Sequence, residues 1–337
     1  MMQEMLTDDI VMSSRIRLAR NFKNIPFPAM LSDDFEAENL VKKVFNVVKG
    51  LGQFKLVFLK DLSNIDCLAL LEKHLISKEL IDNKDISAYI TCDDEKVVIM
   101  LNEEDHIRSQ CFLPGLHLDE AFEKINKIDD KIISSLPIAF SEKLGFLTAC
   151  QTNLGTGLRA SVMMFLPALT MTNSMENIIA SVSKLGFTFR GVYGEGSSAD
   201  GYIYQLSNQT TLGVVEKEII SSVKKVVLKI CEMEKSAREI LQDSKRDEIK
   251  DNAFRAYGIL SSSYLLSCEE FGMLIARIKL GKCLGLIDLA DPEILDKLLI
   301  NAQPALLMKR FGKEMSCDER DRFRADYVSR AIKNQKI

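Results

Sequence analysis

Three signatures that would assign a function at once are missing from this sequence of 337 residues. No G-x-x-x-x-G-K-[ST] segment occurs, which excludes a P-loop nucleotide site. The eight cysteines contain no C-x-x-C pair, and the three histidines form no H-E-x-x-H motif. We therefore expect no structural metal and no disulfide framework, and reduced thiols of this kind are typical of a cytoplasmic protein.

The sequence also has little that would direct it to a membrane or to nucleic acid. The N-terminus, MMQEMLTDDIVM, has no basic region followed by an apolar one, and no apolar run reaches the ~18 residues that a membrane span needs. The net charge of -4 gives no general electrostatic case for nucleic-acid binding. The composition is that of an ordinary soluble protein, and the length predicts about two domains.

The stretch CQTNLGTGLRASVM, Cys150–Met163, carries the densest set of candidate functional residues. Apolar runs over 144–149 and 159–166 flank a turn with two glycines, and we predict that they form a β-hairpin. Arg159 offers a fork of donors suited to phosphate oxygens. The spacing G-x-G-x-x-A also fits a dinucleotide loop, but no helix follows it, so any phosphate here must be held by arginine side chains.

Two arginines lie two residues apart near the N-terminus. The segment 11–21 is predicted to be extended, and on a strand the side chains of Arg15 and Arg17 share one face. They are suited to grip one phosphate chain together. The same pattern also fits a solvated basic edge strand, and these residues alone favour that second interpretation.

An acidic segment follows the apolar strand predicted over 97–101. It reads NEEDH, residues 102–106, and places three carboxylates where a strand ends. Such a cluster suits acid–base chemistry or a solvated loop, and the pattern favours neither. His74, near the end of a helix predicted over 66–75, suits contact with a ligand or capping of the last carbonyls.

A second candidate carboxylate lies in a glycine-rich turn. A helix predicted over 170–185 leads to a strand over 187–193 that carries Arg190 and ends at Gly194-Glu195-Gly196. A glutamate between two glycines has little purpose in packing, so we expect Glu195 to face a ligand.

In this order the four segments resemble the motifs of the ATP:guanidino phosphotransferase family. That family carries S-[ST]-R-x-R, N-E-E-D-H-x-R, C-P-[ST]-N-x-G-T-x-x-R-A-S-V and R-G-x-x-G-E, which stand here at 13–17, 102–108, 150–162 and 190–195. Four ordered matches argue against coincidence, whereas each motif alone is ambiguous. Gln151 replaces the usual proline after the cysteine, which leaves the thiol in place.

The resemblance implies a role for each candidate. Glu104 would be the base that aligns the arginine guanidinium and relieves it of a proton, with Glu103 adjacent, Glu195 as a second carboxylate and Cys150 as a thiolate beside the guanidinium. Mg²⁺ would be held chiefly by ATP oxygens and water, with no metal site in the protein. The implied ATP-binding residues are Ser13, Ser14, Arg15, Ile16, Arg17, His74, Arg108, Arg159, Ala160, Ser161, Val162, Met163, Arg190, Gly191, Val192, Tyr193, Gly194 and Glu195.

The resemblance also implies an α+β fold, with a phosphagen-kinase-like catalytic domain of antiparallel sheet and flanking helices over 1–245. The polar run 242–248 follows a helix predicted over 216–241 and marks the boundary. We expect a helical domain over 246–337, with a capping box at Ser316. Its predicted core includes three leucines at helical spacing, Leu295, Leu298 and Leu299.

Two features point to the bacterial members of the family that phosphorylate arginine side chains of proteins. The sequence begins a dozen residues before Ser13, without the helical N-terminal domain of small-substrate relatives, and 320–325 matches an R-D-x-x-R-A phosphoarginine-binding motif. The second, allosteric phosphoarginine site would comprise Arg320, Asp321, Arg322, Phe323, Arg324 and Ala325. Arg320 and Arg324 are four apart, on one helical face.

The expected function is therefore transfer of the γ-phosphate of ATP to protein arginines. A phosphagen kinase acting on free arginine or another small guanidine is one alternative, and a non-catalytic phosphoarginine-binding module is another. The resemblance further implies a homodimer, a zinc-containing activator of the McsA type, and a role in stress response by marking proteins for a Clp protease.

Overall fold

An antiparallel sheet of eight strands forms the centre of the structure, a computed structural model that describes residues 6–31, 34–191, 200–291 and 293–335. The strands of the sheet are β1 (Val11–Arg20), β2 (Phe54–Phe58), β3 (Ala88–Cys92), β4 (Val97–Leu101), β5 (Ile107–Pro114), β8 (Leu158–Phe165), β9 (Phe187–Gly191) and β10 (Ile203–Asn208). A separate ribbon consists of β6 (Phe140–Ser141) and β7 (Gly145–Phe146). The order across the sheet is β2-β3-β4-β5-β1-β8-β10-β9.

Helices cover the sheet and make up the C-terminal third of the chain. They are α1 (Asp34–Val48), α2 (Asn64–Glu72), α3 (Lys78–Asp82), α4 (Leu118–Ser135), α5 (Pro167–Met171), α6 (Met175–Lys184), α7 (Glu216–Ser244), α8 (Arg246–Ser262), α9 (Cys268–Cys283), α10 (Ile294–Asn301), α11 (Pro304–Phe311) and α12 (Cys317–Lys333). The predicted α+β fold with a helical C-terminal region is confirmed. Among the residues described, none of these helices combines the length and apolar character that a membrane-spanning segment needs.

Strand β1 lies in the middle of the sheet, hydrogen-bonded to β5 on one side and β8 on the other. Its side chains alternate, so Ile16 and Leu18 are buried on one face while Arg15 and Arg17 project from the opposite face. The buried face packs against α1, α4 and α7 in a continuous apolar core. The interpretation of β1 as a solvated edge strand is therefore wrong, because both of its edges are paired.

The β-hairpin predicted from the runs 144–149 and 159–166 does not form. Strand β7 pairs with β6, whereas β8 pairs with β1 and β10. The segment between them bridges back to β7 at Gly155 and then joins β1, where the Ala19 N–H donates to the Gly157 carbonyl at 3.0 Å. The apolar run of β8 is thus buried in the centre of the sheet, by partners that are distant in sequence.

The prediction of a single helix over 170–185 is also wrong. Helix α5 ends at Met171, Asn173 adopts a left-handed conformation with φ of +55°, and α6 begins at Met175. Asparagine tolerates this conformation better than most residues because its short polar side chain bonds locally. The polar turn therefore divides the helical pattern into two.

Helices α8, α9, α10 and α12 pack around a second apolar core. Two of the leucines predicted for it, Leu295 and Leu298, are each only 1% exposed, and Leu299 packs at its edge. The predicted capping box is formed, because Ser316 Oγ accepts the N–H of Glu319 and the Glu319 carboxylate accepts the N–H of Ser316. Helix α9 also contributes to the first core, so the helical region packs directly on the sheet region.

A buried ion pair fixes the end of β1 to α4. The Arg20 guanidinium donates to Asp129 at 2.7 Å, and both residues are almost fully buried. It also donates to the carbonyl of Thr156 at 2.9 Å and lies 3.6 Å from the ring centre of Phe146. A Cβ on Gly157, where φ is +66°, would lie 2.5 Å from this guanidinium. One side chain therefore holds together β1, α4, β7 and the glycine-containing turn before β8.

We predict that Asp129→Asn lowers the free energy of unfolding by about 3–5 kcal/mol, because it leaves the Arg20 charge buried without its partner. Asp130→Asn, on the exposed side of the same helix, should change it by less than about 0.5 kcal/mol. Urea denaturation of the two variants measures the difference. Equally small losses in both would show that the buried pair does not stabilise the fold.

Candidate functional site

The register of the sheet places five arginines on one face. Arg17 lies directly opposite Arg159 across β1 and β8, and Arg15 lies one pleat away. Arg108 shares this face from β5, and Arg190 reaches it from β9 across β10. Directly opposed residues share a face in an antiparallel sheet, so these side chains converge on one surface, which we call the arginine face.

The arginine face holds more positive charge than its own acceptors satisfy. Burial lowers the pKa of Arg15 to about 10, with further lowering from neighbouring arginines, and acts in the same direction on Arg17, whose pKa lies well below its ordinary value. Arg15 donates to Gln205 Oε1 at 3.3 Å. Within the part of the chain that is described, the buried Nε atoms of Arg17 and Arg159 have no hydrogen-bond partner. Unsatisfied buried donors of like charge suit a polyanionic ligand.

Glu103 serves as an internal partner for one of these arginines. It is fully buried in the tight turn between β4 and β5, where it accepts hydrogen bonds from Arg108 and from the Ser77 hydroxyl. Burial raises the pKa of Glu103, but the charge and hydrogen bonds of Arg108 outweigh it, and the net pKa is lowered. Glu103 therefore stays ionised and orients Arg108 on the arginine face.

Glu104 is the acid of this turn that faces outward. It is half-buried, and among the described residues its carboxylate has no hydrogen-bonding or ion-pair partner. Burial raises its pKa, as do the negative charges of Asp105, Glu103 and Glu79, while Arg108 acts in the opposite direction. The carboxylate is thus available to a ligand and takes up a proton more readily than an ordinary glutamate.

Asp105 joins the acidic turn to the segment that carries Cys150. Its Oδ1 accepts the side-chain N–H of Asn21 at 2.6 Å and the backbone N–H of Ala149 at 2.7 Å. Cys150 follows directly, half-buried, with its sulfur 3.0 Å from the Thr152 hydroxyl. Sequence reasoning missed this bridge, and the only signal for it was the third acid of the NEEDH motif.

His74 lies at the end of α2, beside the arginine face. The Leu75 N–H bonds to Leu70 and the His74 N–H to Leu71, a Schellman arrangement in which His74 adopts a left-handed φ of +59°. The side-chain N–H of Gln110, which lies opposite Arg17, donates to the Leu75 carbonyl at 2.7 Å. Gln110, which sequence reasoning also missed, therefore ties the helix end to the arginine face.

The other residues expected at the ATP site are divided by strand alternation. Side chains on the arginine face include Ser13, Ser161 and Met163. Four residues instead face the apolar core, Ser14, Ile16, Ala160 and Val162, each 0% exposed. Gly191 ends β9, and Val192, Tyr193, Gly194 and Glu195 lie outside the described residues. The core-facing residues can contribute to a ligand site only by shaping the strands.

Helix α12 divides the R-D-x-x-R-A segment between two surfaces. Arg324 is 1% exposed and donates to the carbonyls of Ala302 and Leu266 and, at 2.6 Å, to Asp321. Arg320 is half-buried, and its guanidinium donates to the sulfur of Cys317. Arg324 is thus committed to the protein at Nε and Nη1, and it fixes the carboxylate of Asp321.

The remaining residues of this segment face elsewhere. Arg322 lies on the outer side of α12, 5.1 Å from the ring centre of Tyr264, and Phe323 packs on Phe311 with ring centres 4.4 Å apart. Ala325 is buried in the second core. Arg320 and Asp321 are therefore the members that remain in reach of a ligand beside the buried Arg324.

Comparison with protein families matches almost the whole chain. A model described as ATP:guanido phosphotransferase, C-terminal catalytic domain, matches residues 36–237, and one described as Protein-arginine kinase McsB C-terminal domain matches residues 246–336. The protein-arginine kinase of Caldanaerobacter subterraneus is 46% identical over 326 residues, which cover 95% of this chain and 96% of that one. That of Clostridium acetobutylicum is 46% identical over 325 residues, or 95% of each chain.

Solved structures share the fold at lower identity. Lombricine kinase superposes with a TM-score of 0.59 at 25% identity, covering 68% of this chain and 67% of that chain. The duplicated taurocyamine kinase from Schistosoma mansoni, with bound transition state analog components, gives a TM-score of 0.65 at 23% identity. That match covers 88% of this chain but only 40% of the duplicated chain, and it shows likeness of fold alone.

We predict that Arg17→Met stabilises the ligand-free protein and weakens ATP binding at least about tenfold. The buried donor without a partner destabilises the folded protein by about 1–3 kcal/mol. The substitution removes that cost and also the charge repulsion from the neighbouring arginines. Thermal unfolding and calorimetric titration measure the two effects. Arg255→Met, an exposed position on α8, should change neither. A less stable ligand-free Arg17→Met protein would contradict this account of the arginine face.

Proposed function

The chain belongs to the ATP:guanido phosphotransferase family, and we propose that its arginine face binds ATP for transfer of the γ-phosphate to arginine side chains of proteins. The chain is a protein-arginine kinase by its similarity to relatives of that name, which match over 95% of its length. The observation that supports this site most directly is the set of five arginines on one face, next to a free carboxylate at Glu104.

The triphosphate of ATP fits the donors of the arginine face. The unpaired Nε atoms of Arg17 and Arg159 and the buried hydroxyl of Ser161 would gain acceptors from phosphate oxygens. Charge-assisted bonds of this kind stabilise the charge that develops on the transferred group. We propose that Mg²⁺ enters with ATP, held chiefly by its oxygens and by water, where it neutralises the equatorial oxygens.

The acidic turn and the Cys150 segment would hold the acceptor arginine. A guanidinium is protonated in water, so it must lose a proton before its nitrogen can attack. In our proposal Glu104 takes that proton, a nitrogen–phosphorus bond forms, and the bond from phosphorus to the β-γ bridging oxygen breaks to release ADP. Cys150, held near Glu104 through Asp105, would contact the guanidinium, and Glu195 would be the second carboxylate.

The choice between protein and small-molecule acceptors is tested by comparing kcat/KM for an unfolded protein such as casein with that for free arginine. Acid-labile phosphate measures the product. We expect kcat/KM to be much higher for the polypeptide, since the relatives are named protein-arginine kinases. A preference for free arginine would identify a phosphagen kinase, and no transfer to either would leave only a phosphoarginine-binding module.

The setting of the enzyme follows from the family resemblance. We propose that it acts in the cytoplasm, where its eight free thiols would stay reduced, as a homodimer with an activator of the McsA type. Its products would be delivered to a Clp protease. Cell extracts with and without the gene product, compared for phosphoarginine sites by mass spectrometry, test this role.

We predict that Glu104→Gln removes most activity, because an amide cannot accept the proton, while the fold is kept. The raised pKa of Glu104 keeps it protonated to higher pH than an ordinary glutamate, so the acid limb of the kcat/KM profile should lie at higher pH than an ordinary glutamate would give. Glu79→Gln removes an exposed charge that raises this pKa and should move the limb to lower pH. Full activity in Glu104→Gln would show that Glu104 is not the base.

We also propose that Arg320 and Asp321 bind phosphoarginine at a second site, with Arg324 holding Asp321 in place. Arg320 would contact the phosphoryl group, and Asp321 the guanidinium. We predict that a phosphoarginine peptide binds the inactive Glu104→Gln protein and that adding Arg320→Ala weakens binding about tenfold or more. Arg330→Ala, exposed in the last turn of α12, is the matched control. Equal affinity in all three proteins would place the pocket elsewhere.

A further inference from the structure

Two large apolar side chains are exposed in the segment that follows β1. Phe27 is 38% exposed and Met30 is 75% exposed. A short 3₁₀ turn, Pro28–Met30, joins them, and the Met30 N–H donates to the Phe27 carbonyl at 2.8 Å. Side chains three residues apart in such a turn lie on the same side. Phe27 and Met30 therefore form one outward-facing patch, which we call the apolar rim.

Contacts at both ends of the acidic turn place the apolar rim beside Glu104. At one end, the ring of Phe22 packs edge-on against His106 with ring centres 5.7 Å apart. At the other end, the side-chain N–H of Asn102 donates to the carbonyl of Ala37 in α1 at 3.2 Å. The chain from Phe22 to Ala37 therefore connects the two ends of the acidic turn, and the apolar rim belongs to this connection.

The backbone under the apolar rim is fixed by packing on both sides. Pro28 is buried, and Ile25 and Leu31 pack against the apolar core of the sheet region. Proline also fixes the backbone angle φ at positions 26 and 28. A surface that is already ordered loses little conformational entropy when a ligand binds to it. The exposure of Phe27 and Met30 is thus a property of the folded protein.

Negative charge next to the apolar rim favours a ligand that contains arginine. The carboxylate of Glu104 has no partner among the described residues, and Asp34 and Glu36 in the first turn of α1 are exposed. Carboxylates of this kind attract a guanidinium group. A polypeptide that places an arginine at Glu104 can lay the residues next to that arginine on the rim, whereas free arginine has no neighbouring side chains.

The size of the apolar rim suits a short extended segment better than a second copy of the protein. Two partly exposed side chains fall far short of the ~800 Å² that each partner contributes to a stable dimer. They match contact with one or two apolar side chains. Folded proteins bury most side chains of that type, whereas unfolded chains expose them.

We propose that the apolar rim is a docking site for unfolded polypeptide, where Phe27 and Met30 contact apolar side chains next to the acceptor arginine. The rim thereby determines which arginines are phosphorylated. The inference deepens the proposed function and rests on it for the position of the acceptor at Glu104. Differences of one apolar contact change the specificity of an enzyme about tenfold or more.

The test compares two unstructured synthetic peptides of equal charge, each with a single arginine. Leucines flank the arginine in one peptide, and serines flank it in the other. For the full wild-type chain with ATP, we expect kcat/KM to be about tenfold higher for the leucine peptide, chiefly through a lower KM. In Phe27→Gln/Met30→Gln, the ratio of the two kcat/KM values should fall towards one, because the leucine peptide loses its contacts.

Met233→Gln/Phe254→Gln is the matched control, because it replaces the same residue types at exposed positions on α7 and α8. It should keep the wild-type ratio. Met30→Gln alone alters a side chain that is mostly in solvent, so it should fold normally and give an intermediate ratio. Sedimentation velocity of each protein reports whether a substitution changes the state of association.

The outcomes separate this inference from the proposed function. Equal kcat/KM for the two peptides in the wild type would overturn the inference, as would a wild-type ratio in Phe27→Gln/Met30→Gln. A change of sedimentation in that variant would assign the apolar rim to a contact between copies and would also overturn it. Failure of the wild type to phosphorylate casein or either peptide would instead overturn the proposed function.

Discussion

Like charge concentrated on one face of β1 is the constraint on which the rest of the structure depends. Arg15 and Arg17 are brought together by strand alternation, and the flanking strands add further guanidinium groups to the same surface. Such a surface is unfavourable without a ligand, since burial and mutual repulsion both lower the arginine pKa values. The apolar face of the same strand, packed beneath three helices, supplies the burial that offsets this cost.

The acidic turn between β4 and β5 shows how three adjacent carboxylates acquire different roles. Glu103 is used inside the protein to hold Arg108, and Asp105 is used to hold the backbone before Cys150. Only Glu104 is left without a partner among the described residues, and its neighbours raise its pKa. The two structural acids thereby fix the position and the protonation behaviour of the third, which a single exposed glutamate on a loop would not achieve.

Local sequence rules predicted what the backbone itself determines and failed where distant partners decide. Alternation correctly predicted that Arg15 and Arg17 share a face. The four-residue pattern from Ser316 to Glu319 correctly predicted a capping box. The predicted edge strand and hairpin were wrong because the partners of β1 and β8 lie far away in sequence. Family resemblance supplied most of the candidate site, but it did not reveal that Gln110 and Asp105 connect its parts, because those contacts exist only in three dimensions.

The two-faced character of β1 also bears on how reliably the chain folds. A slip of β1 by one residue against β5 or β8 would turn the arginines into the apolar core and expose Ile16 and Leu18. Burying unpaired guanidinium groups costs far more than any hydrogen bonds such a misaligned strand retains. The arginines that are suited to bind phosphate thus also favour the correct register of β1 as the sheet forms. A strand with uncharged residues at these positions would lose this preference for one register together with its ligand.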